Sequence, residues 1–530
     1  MVIAGNLSRV PEVIATRPTA PPETPLSTLK GWLNGDLADA GNDADGTVVT
    51  GLSLSSRRIH PGDLYAALPG ARVHGASFAA DAVGSGAVAV ITDAEGAALC
   101  ADLSVPVIEV ELPRALMGRL AARIYGQPAD DLKLVAVTGT QGKTTTTRLA
   151  EGGLQTAGIP AAAVGTVGTR INGVEVKTTL TTPEAPDLHA LFAVMREQGV
   201  RACAMEVSSH ALVMGRVDGV VFDVAAFTNL GRDHLDFHGD LEEYFAAKTS
   251  LFTAERARLG LVNIDDEYGR RLLDEATIPM LSFSASGSTA DWMALDVTTR
   301  PTGSTFTVQG PSGDRFPAQV RLTGDFNVAN ALCAIASLGE AGFDPAEVAQ
   351  GISASAGVPG RLEQVEAGQD FMAVVDYAHK PDAVTAALNA LRPLTEGRLI
   401  IVMGAGGDRD PGKRSLMGAA AARLADLLIV TDDNPRTEDP ATIRAAVLSG
   451  AHDVAESTRA QILEVGDRRE AIRFAVSSAK TGDTVVVAGK GHETGQEIDG
   501  TVHPFDDRVV LREQLGEQLG EQLGEELNAQ

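Results

Sequence analysis

LVAVTGTQGKTTTTRLAEGGL, Leu134 to Leu154, decides the fold class of this chain. Its first residues form a short apolar run that reads as a buried parallel strand. The run breaks at Thr138-Gly139, and a helical pattern follows after Lys143. Strand, glycine-containing loop, Lys-Thr pair and helix together make a phosphate cradle. Gly139 and Gly142 let the backbone approach an anion, and the N–H groups at the helix start point at it. Lys143 adds a mobile cation for the outer phosphates, and Thr144 offers a hydroxyl to Mg²⁺. A strict P-loop carries glycine where this chain has Val137, so Thr138-Gly139-Thr140 marks a variant loop. The plain alternative is an ordinary Gly-rich strand–helix turn. The stretch predicts an ATP-using enzyme on an α/β fold.

A length of 530 residues suggests roughly three domains, and 44% apolar residues suffice for real cores. The net charge of −26 argues against a general nucleic-acid or anionic-membrane surface, although local Arg and Lys can still bind an anionic substrate. Cys100, Cys203 and Cys333 lie far apart with no CxxC, which supports neither a disulfide framework nor a zinc knuckle. The first residues lack the pattern of a signal peptide, and no apolar run approaches the ~18 residues of a membrane span. A cytoplasmic protein with reduced thiols is expected.

Residues 1–26 are rich in Pro and Thr and are expected to be loose. A small α/β domain with one or two helices is expected up to residue 110. PRALMGRLAARIYGQP reads as an amphipathic helix leading into a central domain, 111–356, whose apolar strands suggest a parallel sheet covered on both faces. VTTRPTGSTFTVQGPSGDRFPAQVRL reads as antiparallel hairpins beside that sheet. A third, Rossmann-like α/β domain is expected over 357–530. Its tail repeats EQLG, and a Gly every fourth residue weakens a helix, so a solvated, partly ordered tail is expected, with an oligomer contact as the alternative.

Polar clusters follow several strands, where open parallel sheets bind ligands. MEVSSHAL carries Glu206, a hard oxygen ligand for Mg²⁺ held by Thr144. TNLGRDHLDFHG crowds Arg232, Asp233, His234, Asp236 and His238 together, as a solvated loop or as a metal and phosphate site built from His234. Lys248 sits in the apolar helix stretch YFAAKTSLF. It either snorkels or, as a buried neutral amine, reacts with CO₂ to give a carbamate ligand for Mg²⁺. Asn327 and Asn330 share a helix face, to read a base or to cap the helix. Arg361 in GVPGRLE suits a phosphate or a ribose, and Asp376 in VVDYAHKPDA suits ribose hydroxyls. MGAGGDRDPGKR, TDDNPRTEDP and AGKGHET close three strands of one sheet and suggest one shared pocket.

Taken together, TGTQGKTTT, MEVSSHAL, TNLGRDHLDFHG, YFAAKTSLF, GDFNVANAL, PGRLE and DYAHKPDA, in this order over nearly the whole chain, resemble the Mur ligases. These are ATP-dependent amide-forming enzymes of peptidoglycan precursor synthesis. DNPR, Asp433–Arg436, resembles the signature of the branch that adds meso-diaminopimelate. Gln141 departs from the family's Asn, and Met214 stands near a substrate contact where the family has a polar residue. The resemblance implies three α/β domains and three substrates: ATP, UDP-N-acetylmuramoyl-dipeptide and meso-diaminopimelate. It assigns Leu54, Ser56, Ala71, Arg72 and Val73 to the UDP end, and Thr181, Thr182, Ser208 and Arg216 to the muramoyl-dipeptide or its diphosphate. It assigns Gly139, Thr140, Gln141, Gly142, Lys143, Thr144 and Thr145 to the ATP loop, with Asn327, Arg361 and Asp376 as nucleotide contacts that depend on domain closure. Thr144, Glu206, His234 and carbamylated Lys248 form the implied metal assembly, and Lys143, Glu206, His234 and Lys248 the implied catalytic set. Arg409, Asp433, Asn434, Pro435, Arg436, Gly489 and Glu493 form the implied diaminopimelate pocket. A monomer is expected. Rivals are an L-lysine-adding ligase of the same family and, further off, a folylpolyglutamate synthetase, against which DNPR and the SSR segment speak. A non-catalytic P-loop scaffold is opposed by the set Lys143, Glu206, His234 and Lys248.

Overall fold

The computed structural model describes residues 15–33, 37–39, 46–300, 302–355 and 357–529. These divide into two compact units. The first reaches to Met293 and includes Gln309–Asp314 and Leu332–Ala354; the second holds Ala294–Val308, Arg315–Ala331 and the residues from Ser355 onward.

The first unit contains two main sheets, besides the short antiparallel pair of Thr24–Pro25 with Val48–Val49. In the smaller, β1 (Gly51–Ser53), β2 (Asp63–Ala66), β3 (Ala89–Thr92) and β4 (Val107–Val110) pair in parallel, and Leu37–Asp39 pairs antiparallel with β4. Its short helices are Leu26–Trp32, Ala79–Gly84 and Ala94–Leu99, more than the one or two expected. Helix α1 (Pro113–Ile124) opens on a proline whose fixed φ suits a first turn. Leu116, Met117, Leu120, Ala121 and Ile124 recur at helical spacing and share a core with Leu52, Leu64, Ile91 and Ile108. Ala190 and Ala193 of α3 (Ala185–Glu197) join the same core, so apolar packing binds the small sheet to the larger one.

The expectation of a loose N-terminus fails for its described part. Arg17 donates to Tyr125 Oη and to Leu52 O (3.0 Å), and its guanidinium lies 3.4 Å from Asp63. The N–H groups of Thr19 and Ala20 donate to Glu197 at 2.9 and 3.0 Å. One arginine and two backbone donors hold a segment that offers little apolar surface. Residues 1–14 lie outside the described part.

The larger sheet centres on β5 (Lys133–Thr138), from which the chain enters α2 (Lys143–Thr156). The parallel order is β6 (Ala161–Gly165), β7 (Ala202–Glu206), β5, β8 (Phe222–Phe227), β9 (Ala257–Asn263), β10 (Met280–Ser284). Leu134, Val135, Ala136 and Val137 are all buried. That is why this strand reads as a continuous apolar run; each such Leu or Val contributes about 1.5–3 kcal/mol on burial. After β5 the chain passes over the position of β7 to form β6, and β8 lies on the other side. The strand order therefore reverses at β5, which leaves a crevice at the carboxyl ends of β7, β5 and β8. Trp292 and Met293, which open β11 (Trp292–Arg300), pair with β10.

In the second unit the rest of β11 is followed by its neighbours β12 (Gly303–Gln309) and β13 (Arg315–Val320). The link from β11 to β12 is too short for a crossover, so they form the hairpin expected from the sequence. The main sheet of this unit runs β14 (Met372–Asp376), β18 (Thr484–Ala488), β15 (Leu399–Met403), β16 (Leu427–Val430), β17 (Gln461–Glu464), these five parallel, with Glu363–Gln364 antiparallel at the β14 edge. It has apolar cores on both faces.

The tail departs from expectation: Asp507–Ala529 forms one helix, α6. Val510, Leu511 and Leu515 bury in a core of this main sheet, and Asp507 pairs with Arg468 at 2.7 Å with both side chains fully buried. A Cβ at Gly516 or Gly520 would meet nothing within 4 Å, so these glycines lie on an open face. Their cost, about 1 kcal/mol each relative to Ala, is offset by the packing of the first turns. Among the described residues no helix is long and apolar enough to cross a membrane.

Candidate active site

The loop after β5 is shaped by its neighbours. Gly139 has φ 144°, and a Cβ there would lie 2.0 Å from Thr228 Oγ1, so only glycine fits. Thr228, at the end of β8, donates from Oγ1 to Gln141 O at 2.6 Å. Asn229 accepts from Gln141 N–H at 2.9 Å and donates to Gln141 O at 3.2 Å. These bonds use only the backbone of Gln141, so its departure from the family's Asn leaves them untouched. Lys143 Nζ donates to Gly139 O (2.8 Å) and Thr140 O (3.0 Å). Thr144 and Thr145 are buried in the first turn of α2.

Lys248, on α5 (Leu241–Thr249), is 1% exposed and reaches the same carbonyl, donating to Gly139 O at 2.8 Å. Its Nζ lies 4.4 Å from the centroid of the Tyr244 ring, and burial pushes the Tyr244 phenol up. Two lysines thus converge on one loop carbonyl.

Glu206 ends β7 directly beside β5, in register with Val137, and is buried. Its carboxylate accepts from Thr166 N–H (2.8 Å) and Thr166 Oγ1 (3.1 Å). Thr166 Oγ1 lies 3.2 Å from Thr181 Oγ1, and Thr182 Oγ1 donates to Glu206 O at 2.8 Å. Ser208 N–H donates to Thr182 Oγ1 at 3.2 Å, and Ser208 caps the short helix α4 (Ser209–Val213). Arg216 reaches Thr182 O (3.4 Å), pairs with Glu184 (2.9 Å) and contacts the Met214 sulfur (3.5 Å). Thr181, Thr182, Ser208 and Arg216 therefore form one patch with Glu206.

His234 has φ 52° and starts the turn Leu235–His238. It is exposed, with Nε2 3.3 Å from Asp233 Oδ2 and its ring 4.7 Å from that of His210. His238, by contrast, is buried and bonded to Ser209 Oγ at 2.8 Å.

Leu54 and Ser56 follow β1 half-buried, Ser56 opening the turn Ser56–Arg58. Ala71, Arg72 and Val73 are exposed on a loop closed by Gly75 N–H donating to Leu68 O at 2.8 Å.

The other expected residues belong to the second unit. Asn327 is buried, donates to Thr323 O at 2.7 Å and accepts from Asn330 at 3.1 Å. Asp376 ends β14 and accepts from the N–H groups of Leu362 and Ala378, both at 2.8 Å. Burial pushes its carboxyl up, against the pull of Arg361. The Arg361 guanidinium lies 4.8 Å from the centroid of the Tyr377 ring.

The loops after β16 and β18 meet. Asn434 donates to Glu493 Oε2 at 2.8 Å and accepts from Glu497 N–H at 3.0 Å. Arg436, at φ 54°, donates to Gly407 O (2.6 Å) and pairs with Glu497 (3.3 Å). Arg409, on the loop after β15, is exposed. Gly489 has φ 118° and faces Asp433, whose Oδ2 would be 3.4 Å from a Cβ there.

Three family models match in order along the chain: "Mur ligase family, catalytic domain" over residues 48–125, "Mur ligase middle domain" over 137–338, and "Mur ligase, glutamate ligase domain" over 360–491. The chain is 56% identical over 500 residues to the UDP-N-acetylmuramoyl-L-alanyl-D-glutamate--2,6-diaminopimelate ligase of Streptomyces avermitilis, covering 94% of this chain and 98% of that one. The chain belongs to the Mur ligase family. A solved UDP-N-acetylmuramoyl-L-alanyl-D-glutamate--2,6-diaminopimelate ligase superposes on this Mur ligase with TM-score 0.64 and 34% identity, over 90% of this chain and 98% of that one. Folylpolyglutamate synthase of Mycobacterium tuberculosis shares the fold alone, with TM-score 0.57 and 17% identity over 71% of this chain and 92% of that one.

Sequence reading of this Mur ligase missed Thr166, which anchors Glu206, and His210, which stacks on Phe237 at 4.1 Å. It also missed Lys490, buried between the loops after β16 and β18. His210 and Lys490 stand inside motifs already noted, but nothing in a short motif tells which side chain turns inward. Thr166 lies in the turn just after β6 and gave no signal.

Proposed function

We propose the following roles for these side chains in the reaction this chain catalyses, the ATP-dependent joining of meso-2,6-diaminopimelate to UDP-N-acetylmuramoyl-L-alanyl-D-glutamate in peptidoglycan synthesis. A carboxylate is a poor acyl donor because its charge repels an amine and oxide leaves badly. The γ-phosphoryl group of ATP passes to the D-Glu γ-carboxylate, giving an acyl phosphate and ADP. The diaminopimelate amine attacks the acyl carbon, loses a proton and expels phosphate. Lys143 neutralises charge on the transferred group and at the tetrahedral stage. Asn327, Arg361 and Asp376 take the nucleotide. The patch of Thr181, Thr182, Ser208 and Arg216 holds the muramoyl-dipeptide next to Glu206. Substrates of this kind are made in the cytoplasm, where the reaction belongs.

Among the described residues no group of three or more His, Cys, Asp and Glu side chains could hold a metal. The fit to Mg²⁺ rests instead on oxygen donors beside the ATP loop, the buried Glu206 carboxylate and the Thr144 hydroxyl, with phosphate and water completing the shell. Lys248 as an ammonium donates to Gly139 O and is no ligand; only its carbamate suits a cation. When bound, Mg²⁺ would screen the phosphate charges.

The observation that supports the choice of amine is the meeting of DNPR with the loop Gly489–Glu493 through the Asn434–Glu493 bond, with Arg436 in the same motif. meso-Diaminopimelate differs from L-lysine by a far-end carboxylate, and an Arg fork suits it. The protein partners of Arg436 are Glu497 and Gly407 O, not Asp433, Glu438 or Asp439. Arg436→Ala is expected to lower kcat/KM for diaminopimelate by about 10–100-fold, the effect of about 1–3 kcal/mol from an unpaired charged group. L-Lysine use should stay nearly unchanged. Equal losses with both amines would reduce Arg436 to a loop-shaping residue. ATP turnover of the unmodified enzyme with each amine tests the assignment itself, and equal use of lysine overturns it.

Ser56→Ala is expected to raise the KM for the UDP substrate by about three- to tenfold with little change in kcat, because a remote contact made equally in ground and transition states affects binding. A raised KM for ATP with an unchanged one for the UDP substrate would show the first sheet to be wrongly assigned.

A further inference from the structure

Lys490 follows β18 and has no exposed surface. Its Nζ donates to Asn434 Oδ1 at 2.9 Å and Asp433 Oδ1 at 3.4 Å, and lies 3.5 Å from Glu493 Oε2. With the Asn434–Glu493 bond this makes a closed ring of three side chains, Lys490, Asn434 and Glu493, from two loops, and Asp433 joins it through Lys490. A buried ammonium is costly unless paired, and two neighbouring carboxylates repel unless a cation lies between them. Lys490 meets both conditions at once. Two carboxylates with one internal ammonium leave a single negative charge, the complement of one incoming ammonium group. The Glu493 side chain is 33% exposed, so it can meet that group, whereas Lys490 cannot.

We propose that Lys490 is a positioning residue for the amine-donating amino acid, holding Glu493 and Asn434 in the geometry and ionisation that receive the substrate ammonium without touching it. This rests on the reading of these two loops as the amino-acid pocket. Burial and Asp433 push the Glu493 carboxyl up, while Lys490 and Asn434 pull it down. Arg468, paired with Asp507 and donating to Ala488 O at 2.9 Å, is a further charge that interacts with Asp433 and Glu493. Without Lys490 the Glu493 carboxyl should stay protonated to higher pH and lose its attraction for the amine.

The test is steady-state kinetics of the full chain with diaminopimelate varied at saturating ATP and UDP substrate, from neutral to alkaline pH. Each variant is divided by the unmodified enzyme at the same pH, which cancels the titration of the amine itself. Lys490→Met is expected to raise the KM for diaminopimelate by about tenfold at neutral pH, with the KM for the UDP substrate within about twofold. The ratio should fall toward one as pH rises. Lys490→Gln keeps a donor but no charge and should behave alike; it carries the test if the Met variant fails to fold. An unchanged KM, or one raised equally at every pH, overturns the proposal. Glu493→Gln separates the two layers. If it too leaves the KM for diaminopimelate unchanged, the pocket is misassigned; if it raises that KM while the Lys490 variants do not, only the role of Lys490 fails.

Discussion

Lys143→Ala is expected to lower kcat for amide synthesis by about 10²–10³-fold or more, the size of effect seen when one main charge-stabilising contact is removed from a transition state. The ammonium sits over the loop, on the carbonyls of Gly139 and Thr140, at the N-terminal end of α2. In the role proposed for it, it would meet there the negative charge that grows on the transferred phosphoryl group, which backbone N–H groups alone bind less well. Loop shape should survive the change, because Gly139 is seated against Thr228 and Gln141 against Asn229 without help from Lys143. The thermal midpoint should therefore move little. Near-normal turnover in a folded Lys143→Ala protein would remove the ATP-loop assignment.

Lys248→Arg is expected to lose most activity, about 10²-fold or more, although it keeps the positive charge. Lys248 and Lys143 both donate to Gly139 O at 2.8 Å. Two ammonium groups on one carbonyl repel, and burial strengthens the repulsion. If the Lys248 amine adds to CO₂ and sheds its proton, the carbamate turns repulsion into attraction. A purely structural lysine makes a different prediction: its variants lose stability, but CO₂ has no influence. Activity should fall when the unmodified enzyme is depleted of CO₂ and return on addition of bicarbonate, with a ¹³C carbamate resonance appearing in parallel. Full activity in both CO₂-depleted enzyme and Lys248→Arg would end the carbamate reading.

The residues that announce themselves in the sequence do so because their chemistry is local. A parallel strand buried on both faces must be apolar throughout, and a loop that admits phosphate must have glycine where a Cβ would collide. Hence Leu134–Val137 and Gly139 are legible from a short window of sequence. The same holds for the α/β class, the β11–β12 hairpin and the position of the polar loops at strand ends. The N-terminal segment and the tail were misread for a common reason. Arg17 bonds Tyr125 and Leu52 far along the chain, and Asp507 pairs with Arg468 on another helix. Composition sees proline or repeated glycine and misses such partners.

Only tertiary structure decides which polar side chains turn inward. Glu206 depends on Thr166 in the turn after a neighbouring strand, Lys248 finds its carbonyl 109 residues away, and Lys490 reaches Asn434 across 56. Each motif can be listed from sequence, but a buried charge is stable only when its partners arrive from elsewhere. The strand order of the two parallel sheets makes those meetings possible, and pairing over such distances leaves no periodic trace along the chain.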